Sequence, residues 1–88
     1  MTYRVLWAPT AEQQLADLLQ DADARAAILA GAREIDRQLL NAPINFGESR
    51  FEGMRIGFAT PLGTYFEVLE DVRTAIVYNV WRTDLRRL

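Results

Sequence analysis

The sequence contains no cysteine, no histidine and no lysine. Without cysteine there are no disulfides and no thiolate chemistry, and without histidine the commonest metal ligand and proton shuttle is gone. Arginine therefore carries every basic side chain: ten arginines face twelve acidic residues, for a net charge of −2. That balance is a weak electrostatic footprint for general nucleic-acid binding. No phosphate loop is present, because Gly47, Gly53, Gly57 and Gly63 are dispersed and none opens a helix beside a lysine. Ser49 has no histidine to activate it. The acids at 48, 52, 67, 70 and 71 are spaced for solvent rather than for a divalent cation, so no metal and no cofactor is expected. No apolar run is long enough to span a bilayer, and Met1–Trp7 lacks signal-peptide anatomy. A cytoplasmic location without membrane contact is the expectation.

What is present suits one globular domain over residues 1–88. Half of the residues are hydrophobic and a quarter charged, which supports a modest single core. YRVLW alternates Tyr3, Val5 and Trp7 with Arg4 and Leu6 and predicts a strand that Pro9 ends. Thr10 and Gln13 form a capping-box pattern ahead of a helix carrying Ala11, Leu15, Leu18, Leu19 and Ala22 at helical spacing. Asp21 or Asp23 is then placed to cap a second helix running to about Asn41, before Pro43. Its apolar stripe is Ala24, Ala27, Ile28, Gly31, Ala32, Ile35 and Leu39. The small residues in mid-stripe predict a close approach by another backbone, most simply the first helix in a tight hairpin.

After Pro43 the periodicity changes to alternation. INFGESRFEG reads as a loop leading into a strand around Arg50–Ala59, with Met54, Ile56 and Phe58 on one side. PLG (61–63) supplies a turn, TYFEVLE a further strand, EDVR a short connection, and Thr74 to Arg82 the last strand. That strand is apolar on both sides, with Ala75 and Val77 on one and Ile76, Tyr78 and Val80 on the other. The predicted architecture is α+β in the order β-α-α-β-β-β, a helical hairpin packed on one face of a small, mainly antiparallel sheet. Two helices cover one face only. The other must be paired, wet or bound.

Charge is unevenly placed: RTDLRR (82–87) carries three arginines against one acid, whereas residues 1–44 carry four against six. A strand that ends in Trp81–Arg82 can present a guanidinium at the rim of an anion-receptive surface, joined by Arg55 from a neighbouring strand and by Arg86 and Arg87.

YRVLWAPTAEQQLADLL (3–19), the second helix to Pro43, and RIGFATPLGTYFEVLEDVRTAIVYNVWR (55–82) together resemble the RelE/ParE superfamily of toxins from bacterial type II toxin–antitoxin modules, also called plasmid-stabilisation proteins. The resemblance covers essentially the whole chain. It implies a cognate antitoxin, usually an acidic or amphipathic segment laid over helices and sheet. It also implies a target, either ribosome-bound mRNA in the RelE-like branch or DNA gyrase in the ParE-like branch. Arg55 occupies the position of a basic residue on the second strand, and Arg82 matches the one closing the last. Apart from the resemblance, Tyr78 or Tyr65 could donate or accept a proton, although a strand tyrosine among apolar neighbours is usually core. Arg50, Trp81, Arg86 and Arg87 complete the candidate binding set. Two departures stand out: the PLG turn replaces an arginine early in the third strand, and no aromatic residue follows Trp81 to act as the C-terminal proton donor. Arginine neutralises phosphate but is a poor base. The leading expectation is therefore a toxin acting by binding. The alternatives are a ribosome-dependent mRNA endonuclease and an interaction module without toxicity. An exposed sheet face also raises homodimerisation as an expectation.

Overall fold

The computed structural model describes residues 2–84. It contains β1 (Arg4–Trp7), α1 (Pro9–Leu18), α2 (Arg25–Asn41), β2 (Glu48–Phe51), β3 (Met54–Ala59), β4 (Leu62–Leu69) and β5 (Thr74–Arg82). Short 3₁₀ turns lie at Pro43–Asn45 and Glu70–Val72. The strands form one sheet in the order β1-β5-β4-β3-β2, with β1 parallel to β5 and every other pair antiparallel. The α+β class and the mainly antiparallel sheet are as predicted, with one strand more than expected. The predicted 50–59 strand is two, because Glu52–Gly53 turns the chain back on itself, with Gly53 at a φ of 77°. β2 escapes sequence patterning because all four of its residues are exposed and do not alternate in polarity.

Alternation gives the sheet two unlike faces. On the helix side, Leu62, Thr64, Phe66 and Val68 of β4 meet Ala75, Val77 and Val80 of β5, all buried. α1 lies over β5, and α2 over β1, β3 and β4. Ile28, Ile35, Leu39 and Phe66 are fully buried at the centre, each contributing about 1.5–3 kcal/mol of transfer free energy. Trp7 ties the layers together by donating its indole N–H to Asp36 Oδ1 at 2.7 Å.

The helix boundaries differ from the capping pattern. α1 starts at Pro9 after an Ala8 cap, with no side-chain cap bond from Thr10, because proline at the first helical position supplies the preset φ. It stops at Leu18, four residues before Ala22. Asp21 does not cap α2 either. Its carboxylate accepts from the Asp23 backbone N–H at 3.1 Å, shaping the turn, and α2 begins after Ala24. Gly31 does mark a close approach, but not to α1. A Cβ there would lie 2.9 Å from the Ala59 carbonyl oxygen and 3.2 Å from the Leu62 side chain, so α2 is pressed onto the β3–β4 turn. Ala27, placed on the same stripe by spacing, is exposed.

β5 also departs from simple alternation. Tyr65 pairs with Asn79 but Phe66 pairs with Val77, leaving Tyr78 as an extra residue in a β-bulge. The bulge moves Val80 to the helix side with Val77, and Arg82 with it, and leaves Trp81 on the opposite face. The Val80 N–H, beyond the end of β1, is satisfied by the Gln14 side-chain oxygen at 2.9 Å.

Candidate functional site

The face that no helix covers is apolar and aromatic. Ile56 and Phe58 from β3, Tyr65 from β4, and Ile76, Tyr78 and Trp81 from β5 stand on it, and Phe58 is 60% exposed. Trp81 lies flat against Gly63, where a Cβ would come within 2.6 Å of the indole. Phe58 meets Trp81 edge to face, with ring centroids 6.4 Å apart and planes at 87°. Phe51 at the β2 end, 62% exposed, extends the surface beside Met54. On the three central strands the only charge on this face is Glu67, and it accepts a hydrogen bond from the Tyr78 hydroxyl at 2.7 Å.

The arginines singled out from sequence do not join this surface. Arg55 points to the helix side of β3 and donates from Nε to the Phe46 carbonyl and from Nη2 to the Gly47 carbonyl, both at 2.9 Å. It thereby holds the loop that stacks Phe46 on Phe66, with centroids 5.5 Å apart. Arg82, carried to the helix side by the bulge, donates to Asp84 from Nε and Nη2 at 2.9 and 3.1 Å, and to Asp21 from Nη1 at 2.9 Å. Its side chain is 12% exposed. The two carboxylates, Asp84 first, hold the guanidinium even more firmly protonated, and Arg82 in return lowers the pKa of both. Strand end, α1–α2 turn and the segment after β5 are thus clasped by one side chain.

Tyr78 stands on the opposite face from both arginines. Its hydrogen bond to Glu67, followed by burial, raises its pKa above the ordinary phenol value, so it is a donor committed to a neighbour and a poor base. The expected cluster of Arg55, Arg82 and Tyr78 is therefore not assembled on one surface. Arg50 is exposed at the bulge of β2. Trp81 lies at the centre of the aromatic group. Arg86 and Arg87 lie outside the described residues. Sequence reasoning missed Phe51 and Phe58 as surface groups. The alternation of Phe58 with Met54 and Ile56 was visible, but which face the helices would cover was not, and Phe51 reaches the same face only through the Glu52–Gly53 turn that sets it opposite Met54.

Among the described residues no group of acids is arranged to hold a metal ion, and no helix is long and apolar enough to cross a membrane. No family model matches the chain, and no curated protein matches it in sequence. Solved structures do match in fold. One is a chain from the toxin–antitoxin complex RelBE2 of Mycobacterium tuberculosis, with a TM-score of 0.68 and 20% identity, covering 93% of this chain and 99% of that one. Another is from the chromosomal ParDE toxin–antitoxin system of P. aeruginosa, with a TM-score of 0.70 and 16% identity, covering 93% and 97%. The likeness runs over nearly the whole of both chains and agrees with the resemblance seen in the sequence: the chain has the RelE/ParE fold.

Proposed function

We propose that the chain is the toxin of a type II toxin–antitoxin module and that it acts by binding a target rather than by cutting RNA. The fold supports the first half of this reading. The second half is supported by one observation: the open aromatic face has no guanidinium on its three central strands, while Arg55 and Arg82 are engaged on the other side. Cleavage of RNA requires positive charge at the scissile phosphate and a group that moves the 2′-OH proton. A Tyr78 phenol of raised pKa, already donating to Glu67, supplies neither positive charge nor a ready base. A protein target of the gyrase kind suits an apolar face better than mRNA phosphates do.

Induced expression tests this. Growth should stop, recover on co-expression of a DNA-binding protein encoded by the neighbouring gene, and show no ribosome-dependent mRNA cuts by primer extension. Reproducible cuts within codons, lost in Tyr78→Phe, would overturn the binding mechanism. Unimpaired growth would overturn the toxin reading.

A further inference from the structure

The open face changes character along its length. At one end Phe58 stands beside Trp81, and at the other Glu67 pairs with Met54 of β3 and Ile76 of β5. Met54 and Phe58 lie about 13 Å apart along β3, at the usual rise per residue. Beyond Glu67 the face runs into a cleft between the Glu52–Gly53 turn and the Glu70–Val72 turn. The Val68 N–H fixes the first turn against β4 by donating to the Gly53 carbonyl at 2.8 Å. Glu52, Glu67, Glu70 and Asp71 line the cleft together with Leu69 and Val72, and Val72 is 64% exposed.

Among the described residues no arginine lines the cleft, and none of its four acids is ion-paired. Arg73, next in the chain, lies over the Tyr3 ring instead, 5.5 Å from its centroid. Arg4 and Arg50 belong to the two edge strands, and Arg4 stands two strands from β4, about 10 Å away. The Glu67 carboxylate is only partly committed. Its Oε1 accepts from the Tyr78 hydroxyl, which fixes its orientation and leaves most of its roughly four acceptor sites for a donor from outside. Carboxylates without countercharge beside aromatic rings repel phosphate and attract a guanidinium.

We infer that the open face receives an apolar segment of the target protein that carries arginine. An aliphatic side chain seats on Phe58 and Trp81, and an arginine about four residues along an extended chain reaches Glu67 and the acidic cleft. Arginine suits the site better than lysine, because its flat guanidinium can lie against the Tyr65 ring while its fork meets a carboxylate. Leu69 and Val72 give its aliphatic stem apolar cover. The inference rests on the reading of this face as the working surface and adds the chemistry of what it meets.

The test is an NMR titration of the isotope-labelled full chain with two short capped peptides. Both alternate leucine and serine; one then ends in two arginines, the other in two citrullines, the uncharged isostere. The arginine peptide should shift the Trp81 indole and the Glu67 and Asp71 amides. It should bind about tenfold more tightly than the citrulline peptide, by a margin that shrinks as salt rises. Glu67→Gln, which keeps an acceptor for the Tyr78 hydroxyl, should weaken binding of the arginine peptide about tenfold. Glu70→Gln with Asp71→Asn, on the exposed connection, should weaken it about threefold, and Glu12→Gln on α1 should leave it unchanged. Equal affinity for the two peptides, shifts confined to the helix side, or no binding would overturn the proposal. So would tighter binding of a single-stranded RNA oligonucleotide at the same residues, or a second copy of the chain there that the arginine peptide does not displace. Growth inhibition is a separate readout: inhibition without peptide binding removes this inference and leaves the toxin reading, and binding without inhibition does the reverse.

Discussion

The two faces of the sheet share strands and differ in almost everything else. The helix side buries Phe66, Val77 and Val80 and contains the two arginines that a sequence reader would assign to function. The open side exposes Phe58 beside Trp81 and contains no arginine on its central strands. The difference teaches that the side of the strand on which an arginine stands decides what its donors meet. Arg55 and Arg82 spend their donors on the protein itself: on the Phe46 and Gly47 carbonyls, and on Asp21 and Asp84.

The largest effect should come from the helix side. Phe66→Ala removes a fully buried ring stacked on Phe46 and should cost about 3–5 kcal/mol in denaturant unfolding. A cost below about 1 kcal/mol would mean that the centre of the core lies elsewhere. Gly31→Leu comes next. The added side chain meets the Ala59 carbonyl, which is backbone and cannot swing aside, so a loss of about 1–3 kcal/mol is expected. A neutral outcome would show that α2 does not press on the β3–β4 turn.

Acid titration sharpens the comparison at the strand end. Asp84 and Asp21 have pKa values lowered by Arg82, and Glu34 is held at about 2 by Arg37 and Gln38. Groups depressed in the folded state bind protons first in the unfolded chain. Their contribution is therefore complete above the ordinary carboxylate range near pH 4 and is lost as pH falls toward about 2. Stability of the parent should decline through that window. In Arg82→Met the Asp21 and Asp84 share should vanish, leaving a shallower decline. Identical acid profiles for the two proteins would mean that the clasp does not form in solution.

Much of this architecture was legible in the sequence because periodicity reports it. Helical spacing from Ala11 to Leu39 and alternation from Met54 to Val68 fixed the element order. Three features were not legible, each for a physical reason. β2 has no buried side chain and so no pattern. The bulge at Tyr78 depends on how β4 and β5 settle against each other, and it reverses the side taken by Val80 and Arg82. The partner of Arg82 lies 61 residues away at Asp21, a separation that no local motif records. The stripe around Gly31 correctly signalled a close approach, but the expected partner was α1, and α2 instead presses on the β3–β4 turn. In the candidate site, Trp81 was picked out by its place at the strand end, whereas Phe58 became a surface group only once the covered face was known.

The smallest effect on stability is expected where the effect on function should be greatest. Phe58→Ser, at a side chain 60% exposed, should change the melting temperature little, whereas Arg82→Met should lower it measurably. The direct measurement is growth inhibition by these two variants, expressed to equal levels and shown to be folded. If the aromatic face is the working surface, Phe58→Ser relieves inhibition while Arg82→Met continues to inhibit. Full inhibition by Phe58→Ser together with its loss in folded Arg82→Met would return function to the arginines and contradict the assignment.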